Sequence, residues 1–160
     1  YFGGIHTITP GGVSTPFATG IQSSYFRFGP GGAWGTGLYA TSNNAVPGIG
    51  IITIDSFGNS SLFSGGMNIP EQFDWAFGGG FGGDMFVANF GAAEVLRVKP
   101  DGTYTVFATT ARPAGITFCN GCLYITSYEG GCWKVCESPT PAQESTWGSI
   151  KERYGDSAPR

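Results

Sequence analysis

The chain has 160 residues, and its low charge and high glycine content exclude several classes of protein. Charged residues make up only 12% of it, against 41% hydrophobic and 15% aromatic residues, which excludes a disordered chain. Its 28 Gly and 10 Pro, without a three-residue period, exclude a helical bundle and collagen and favour short strands joined by tight turns.

The net charge of -3 argues against a nucleic-acid partner, because phosphate binding needs a basic patch and the basic residues are scattered. No apolar run approaches the ~18 residues of a membrane span. The sequence therefore predicts a protein that binds no nucleic acid and has no membrane span.

From the first strand onward, the sequence repeats at a spacing of about 45 residues. The copies start near Ile5, Ile51 and Val95, and a fourth copy starts near Trp133 and breaks off. Each copy reads as a strand, a tight turn and a second strand. The turn glycines, which occupy a position where positive φ favours that residue, are Gly12, Gly58 and Gly102. The second strands carry matching phenylalanines, Phe17, Phe63 and Phe107.

Two further short strands separate successive copies, so each repeat contains four. Four strands in about 45 residues indicate the blade of a β-propeller. We therefore predict an all-β protein of four-stranded antiparallel blades. Residues 1–136 form a partial propeller of about three blades, and residues 137–160 form a proline-containing linker and a short helix.

The third copy carries a resemblance to known families. Its residues run Gly83-Asp84-Met85-Phe86-Val87-Ala88-Asn89 and then Val95-Leu96-Arg97-Val98-Lys99-Pro100-Asp101-Gly102. This pattern resembles a blade of the NHL, gluconolactonase-like and virginiamycin-B-lyase-like propellers, and the likeness covers residues 5 to 136. The matching residues are those that build a blade, so the resemblance implies a fold more than a function.

The resemblance also implies where a metal site would lie. Metal hydrolases of this kind use Glu, Asn and Asp at the inner ends of strands around the central channel. The candidates here are Asp74, Asn89 and Asn43, with Ser127 or Tyr128 at the matching place in the next blade. We expect no cofactor; the alternative is Ca²⁺ or another divalent cation on these oxygen ligands.

Three blades do not close a ring, because a propeller has four to eight of them and open stacks expose strand edges. Two explanations remain open. Further blades of the same protein complete the ring, which the start at Tyr1 rather than Met favours, or two chains close it as a homodimer.

The four cysteines cluster near the end of the repeats, at Cys119, Cys122, Cys132 and Cys136. Asn120-Gly121 predicts a two-residue hairpin turn that places Cys119 opposite Cys122. A disulfide between these two is the first choice. If residues 129–131 form a three-residue turn, Cys136 lies opposite Tyr124 and diagonal to Cys122, so Cys122–Cys136 is the second choice. One zinc ion cannot reach cysteines spread along a strand. Clustered cysteines in a chain of low charge favour an extracellular or periplasmic location.

The last segment differs in composition from the repeats. Trp147, Ile150 and Tyr154 are spaced to share one helical face, which predicts a short helix that forms only when docked; a frayed tail is the alternative.

No catalytic constellation stands out in the sequence. The glycine-rich stretch at 77–83 lacks the Lys-Ser/Thr of a phosphate loop. We expect most aromatic residues to fill the space between blades, with a binding rim as the alternative. The sequence therefore favours a non-catalytic secreted module, whose protein or carbohydrate ligand it does not identify. The alternative is a metal-dependent lactonase-like or lyase-like enzyme with its site on the propeller axis.

Overall fold

The computed structural model describes residues 3–137, and these form thirteen β-strands in four antiparallel sheets. Sheet I contains β1 (Gly4–Ile8) and β2 (Ser14–Thr19). Sheet II contains β3 (Phe26–Phe28), β4 (Leu38–Ser42), β5 (Gly50–Ile54) and β6 (Ser60–Gly65). Sheet III contains β7 (Pro70–Trp75), β8 (Met85–Asn89), β9 (Glu94–Val98) and β10 (Tyr104–Thr109). Sheet IV contains β11 (Pro113–Cys119), β12 (Cys122–Ser127) and β13 (Cys132–Cys136).

Each sheet is a meander in which consecutive strands are neighbours, which confirms the predicted all-β blade architecture. Sheets II and III are complete four-stranded blades. The sequence repeat begins at the third strand of a blade, so sheet I corresponds to a third and fourth strand and sheet IV to the first three. The predicted helix around Trp147 lies outside the described residues.

The register of sheet IV shifts the start of the fourth copy by one residue. Leu123 pairs with Val135 in sheet IV, as Met85 pairs with Val98 in sheet III. Cys132, rather than Trp133, therefore occupies the position of Val95.

Three hydrophobic cores lie between neighbouring sheets, as expected where each blade buries its faces against the next. The core between sheets I and II contains Ile5, Ala18, Ile21, Leu38, Ala40, Ile52 and Ile54. The core between sheets II and III contains Trp34, Tyr39, Ile51, Met67, Phe73, Trp75, Met85, Val87, Leu96 and Val98. The core between sheets III and IV contains Ala76, Phe81, Phe86, Val95, Ile116, Leu123 and Ile125.

The glycine-rich connections between the first two strands of sheets II and III have matching conformations. Each contains a 3₁₀ turn, Gly32–Trp34 in sheet II and Gly79–Phe81 in sheet III, flanked by glycines with positive φ. Each turn inserts its aromatic residue, Trp34 or Phe81, into the core shared with the following sheet. Glycine is needed here because the connection adopts left-handed φ on both sides of the inserted ring.

A β-bulge falls on the repeated phenylalanine of each of the three described outer strands. The register skips Phe17 in β2, Phe63 in β6 and Phe107 in β10. Each bulged ring packs against the core between its own sheet and the next sheet, because the bulge interrupts the alternation of side chains along the strand. The shared function of these phenylalanines is thus to close the outer end of each core.

The turn glycines have the predicted positive φ, of 82° at Gly12, 84° at Gly58 and 83° at Gly102. They also set the distance between blades. A Cβ on Gly58 would overlap the carbonyl oxygen of Phe17, and one on Gly102 would lie 2.5 Å from that of Phe63. The turn of each blade therefore rests on the bulge of the preceding blade, whereas nothing lies within 4 Å of a Cβ on Gly12.

Side-chain hydrogen bonds reinforce two of these turns. Asp55 accepts from the side chain and backbone of Asn59, and Asp101 accepts from Thr103. These hydrogen bonds, first those from the Asn59 and Thr103 side chains, hold the pKa values of both carboxyl groups below their usual range. The carboxylates thus favour the fold above the ordinary pKa of Asp, and this contribution is lost as the pH falls through the lowered values.

We predict that Gly58→Ala destabilises the protein more than Gly12→Ala. Both substitutions place a Cβ at positive φ, which costs about 1 kcal/mol. Only the added methyl group at position 58 collides with the neighbouring blade, so the total cost of Gly58→Ala rises to about 3 kcal/mol. Urea unfolding of the two variants measures the difference, and equal losses would show that the turns do not set the spacing between blades.

Candidate functional site

Side chains from three neighbouring sheets meet at their innermost strands. Arg27 of β3, Asp74 of β7 and Thr117 of β11 occupy equivalent positions, opposite Tyr39, Phe86 and Tyr124 of the adjacent strands. Arg27 forms a salt bridge with the Oδ1 atom of Asp74, and the Thr117 hydroxyl donates to Oδ2 at 3.2 Å. We call these three residues the inner cluster.

The Asp74 carboxylate is buried, and both of its oxygens are engaged. Oδ1 also accepts from the backbone N–H of Trp75 at 2.8 Å, and Oδ2 accepts from that of Phe118 at 2.9 Å. Nearby, the Gln72 side chain accepts from the N–H of Ile116 at 3.3 Å. Side chains of β7 therefore accept hydrogen bonds from N–H groups along the edge of β11, because a buried N–H group needs an acceptor.

The predicted candidates Asp74 and Asn89 do not come together. Asp74 lies opposite Phe86, three residues from Asn89, which is about 10 Å along the strand. Asn89 accepts from the N–H of Asn68 at 2.7 Å and donates to Glu94 at 3.2 Å, so both ends of its amide are used.

The third candidate, Asn43, is not the counterpart of Asn89. The register places Ser42 at that position in sheet II and Ser127 in sheet IV. The Asn43 backbone N–H donates to Gln22, and its side-chain oxygen is buried without a partner among residues 3–137. Within that range, no three His, Cys, Asp or Glu side chains are grouped so that they could hold one metal ion.

The sequence reasoning missed the partners of Asp74. Arg27 and Thr117 are separated from Asp74 by 47 and 43 residues, which is close to the repeat spacing. A comparison of the inner strands position by position would have found them. Such a comparison identifies equivalent positions, but it does not reveal that their side chains touch.

A second ionic cluster lies between sheets III and IV. The buried Asp84 carboxylate accepts from Arg97 at 2.5 Å and from Lys99 at 2.6 Å. Arg97 also donates to the carbonyl of Phe81 and lies over the Phe86 ring. In the next sheet, Lys134 lies over Tyr124 in the same way.

A cleft of about 320 Å³ opens beside this cluster, between the 77–83 connection and the Asn120-Gly121 turn. Three aromatic rings line it, from Phe77, Phe81 and Phe118, together with Cys119 and Glu137. The Glu137 carboxylate accepts from the backbone N–H of Phe81 at 3.2 Å. The 77–83 connection is thus a defined loop whose inserted Phe81 joins two sheets.

The disulfide joins Cys122 to Cys136, which is the second of the two predicted pairings and not the preferred one of Cys119 with Cys122. The predicted hairpin does form, with φ of 49° at Asn120 and 70° at Gly121. Cys119 and Cys122 flank this two-residue turn, where paired residues are hydrogen-bonded and farther apart. Cys122 and Cys136 are instead a closely spaced pair with a Cα separation of 4.0 Å, flanked by the Glu137 N–H donating to Gly121.

A longer turn than expected explains the new register. The sequence suggested a turn at 129–131 with Cys136 opposite Tyr124, but the turn spans 127–131 and Cys136 lies opposite Cys122. The other two of the four cysteines, Cys119 and Cys132, are free and exposed.

The aromatic residues divide between the core and the surface. Trp34, Tyr39 and Trp75 are buried between sheets II and III, as expected of residues that fill the space between blades. Burial raises the pKa of Tyr39, whose hydroxyl donates to the carbonyl of Trp34. Tyr128 and Trp133 are exposed.

Comparison with known proteins identifies the class of protein as a β-propeller. A crystal structure of selenomethionine-substituted virginiamycin B lyase from Staphylococcus aureus matches with a TM-score of 0.51 and 16% sequence identity, over 85% of this chain and 49% of that one. This chain therefore spans about half the length of that structure. At this identity the likeness shows the fold alone. No protein-family model and no curated protein matches the chain. No helix of residues 3–137 is long and apolar enough to cross a membrane.

We predict that Asp74→Asn destabilises the fold, because it weakens the ion pair with Arg27 and leaves one hydrogen-bond acceptor fewer at β11. The expected loss is about 2 kcal/mol. Glu71→Gln is the matched control, since Glu71 lies on the same strand without an ion pair among the described residues, and it should change stability by less than about 0.5 kcal/mol.

Denaturant unfolding compares these variants with Arg27→Met and with the double variant. Coupling between positions 27 and 74 makes the double variant more stable than the sum of the single losses predicts. Additive losses would contradict the proposed link between sheets.

Proposed function

We propose that the chain is a non-catalytic binding or structural module of an extracytoplasmic β-propeller. The observation that carries this proposal is the engagement of the polar side chains on the inner strands. Asp74 and Asn89 use their polar atoms to connect strands and loops, and the inner cluster links three sheets. A catalytic or metal-binding carboxylate needs an oxygen directed at a substrate or ion, whereas these oxygens are directed at the protein itself.

The cysteines support a location outside the cytoplasm. A disulfide that joins neighbouring strands persists in an oxidising compartment and is rare where glutathione keeps thiols reduced. The low charge of the chain agrees with such an environment. Together these features favour an extracellular or periplasmic protein.

An exposed apolar surface on sheet II supports a position of the module next to further blades. Phe26 and Phe28 of β3 are 52% and 66% exposed. The equivalent residues of sheet III, Phe73 and Trp75, are 0% and 1% exposed because sheet II covers them. Among residues 3–137, sheet I contains the third and fourth strands of a blade, and the first two strands of such a blade are the elements that would cover Phe26 and Phe28.

We therefore propose that a strand pair from further propeller sequence covers this surface. Blades of the same protein are the preferred source, because the surface matches an intramolecular contact between blades. A second copy of the chain is the alternative source. In either case the partner is a β-sheet protein surface, and the interaction completes the stack of blades.

The second candidate function is a metal-dependent lactonase-like or lyase-like enzyme with its site on the propeller axis. The structural neighbour is a lyase, which favours this function. In that case Ca²⁺ or another divalent cation would bind at one of Asp74, Asn89 and Asn43, since Asp74 and Asn89 lie about 10 Å apart along the strand. The two functions differ in what calcium does to the protein.

We predict that Ca²⁺ leaves the thermal midpoint unchanged, whether the protein is pretreated with a chelator or not.

We further predict that Asn89→Ala destabilises the protein by about 1–2 kcal/mol, because the N–H of Asn68 loses its acceptor. Asn43→Ala is the matched control with a smaller loss, since its side-chain oxygen has no partner to lose among the described residues.

Thermal unfolding with Ca²⁺ and with chelator tests both functions at once. A calcium-dependent rise in the midpoint of the native sequence that Asn89→Ala abolishes would support the enzyme and overturn the non-catalytic proposal, because a ligand stabilises only a state that binds it.

We predict that the double substitution Phe26→Ser and Phe28→Ser reduces self-association and the binding of a hydrophobic dye. The exposed rings provide the apolar area for both. Phe77→Ser is the control, because Phe77 is 75% exposed on the 77–83 connection, next to residues of sheets III and IV. Light scattering and dye fluorescence measure the two effects. Equal behaviour of both variants would show that the surface on β3 does not attract a partner.

A further inference from the structure

Three of the four cysteines form one row across sheet IV. Cys119 of β11 lies directly opposite Cys122 of β12, and Cys122 lies directly opposite Cys136 of β13. Residues that oppose each other across antiparallel strands project from the same face of the sheet, so the three sulfur-bearing side chains share one face. The free Cys119 is therefore the immediate neighbour of the disulfide.

The order of the strands suits an exchange reaction. Cys122 occupies the central strand, with the thiol of Cys119 on one side and its disulfide partner Cys136 on the other. A thiolate attacks one sulfur of a disulfide while the other sulfur leaves. The attacking sulfur and the leaving sulfur belong to strands on opposite sides of the central strand, so the exchange keeps the order and the pairing of the strands.

The equivalent row of sheet III carries a contact between strands. Ala76, Asp84 and Lys99 occupy the places of Cys119, Cys122 and Cys136, and Asp84 pairs with Lys99 at 2.6 Å. In sheet IV a covalent bond replaces this ion pair, and a third cysteine replaces the alanine. A disulfide that only stabilises the pairing of β12 with β13 needs two cysteines, so stability alone does not explain the third cysteine in the row.

We propose that sheet IV holds an exchangeable disulfide that moves between Cys122–Cys136 and Cys119–Cys122. The Cys119 thiol loses its proton to solvent, and the thiolate forms a bond to the Cys122 sulfur. The bond between Cys122 and Cys136 breaks, and Cys136 leaves as a thiolate that takes a proton from solvent. The number of disulfides is unchanged, so the step needs no oxidant or reductant.

The exchange changes what holds β13 in place. In the observed form, the disulfide fixes Cys136 next to Glu137, whose carboxylate accepts from the N–H of Phe81. In the alternative form, the covalent bond lies within the β11–β12 hairpin, and β13 keeps only its noncovalent contacts. The position of the disulfide thereby controls Glu137 and the 77–83 loop, which border the same cleft as Cys119.

Cys132 provides an internal control. It lies on the same face but opposite Thr126, four residues along β12 from Cys122, which is about 13 Å. The exchange therefore does not require Cys132, and the full chain with Cys132→Ser is the protein to test, since it retains only the three cysteines of the row.

Peptide mapping distinguishes the two forms. Trypsin cleaves after Arg97 and Lys134 but poorly after Lys99 and Arg112, which precede prolines. The observed disulfide links peptide 98–134 to peptide 135–151, whereas the alternative lies within peptide 98–134 and leaves 135–151 free. The protein is incubated in mildly alkaline buffer, quenched with acid, alkylated with a maleimide and digested.

We expect both forms, with alkylated Cys136 in at least about a tenth of the molecules, as thiol–disulfide exchange between adjacent cysteines allows. The variant that also carries Cys119→Ser should give the linked peptides alone. Only linked peptides from the Cys132→Ser protein, at every incubation time, would overturn the proposal.

Hydrogen exchange tests the structural consequence. Cys136→Ser in the Cys132→Ser protein, oxidised with glutathione disulfide, locks the disulfide at Cys119–Cys122, whereas Cys119→Ser locks it at Cys122–Cys136. The amides of residues 77–83 should exchange at least about tenfold faster in the first variant, because the N–H of Phe81 loses its fixed acceptor. Equal rates would overturn the proposed control of the loop.

Discussion

The carboxylate of Asp74 is the contact on which the arrangement of the blades depends. Asp74 belongs to sheet III, accepts hydrogen bonds from sheet IV and forms a salt bridge with Arg27 of sheet II. One side chain therefore joins the inner edges of three sheets. Because Asp74 is buried, its carboxylate is tolerated only when both oxygens have hydrogen-bond or charged partners. The inner edge of the stack is therefore specified by polar contacts, whereas apolar packing specifies the region between the sheets.

The packing between sheets is built from elements that the repeat supplies at regular positions. An inserted ring, Trp34 or Phe81, enters two of the three cores near the first two strands, and a bulged phenylalanine lies at the outer strand beside each core. The turn glycine of the following blade then rests on the carbonyl group of that bulge. These devices depend on one another, because the bulge exposes the carbonyl group and only glycine leaves room for the contact.

Sheet IV departs from this pattern in a coordinated way. A two-residue hairpin replaces the loop with the inserted ring, and a disulfide replaces the ion pair of Asp84 and Lys99. The covalent link joins β12 to β13 at the position where an ion pair joins the equivalent strands of sheet III. The third cysteine gives this link an alternative position.

Local patterns in the sequence determined the blade repeat, the turn glycines and the Asn120-Gly121 hairpin. Each of these follows from the conformational preference of a few neighbouring residues, which is why periodicity alone predicted them. Only the tertiary structure decided that Asp74 contacts Arg27 and Thr117, that Asn89 binds Asn68 and Glu94, and that Cys122 pairs with Cys136. These contacts join strands far apart in sequence or depend on the register of a turn, and a shift of two residues in that register changes which cysteines meet.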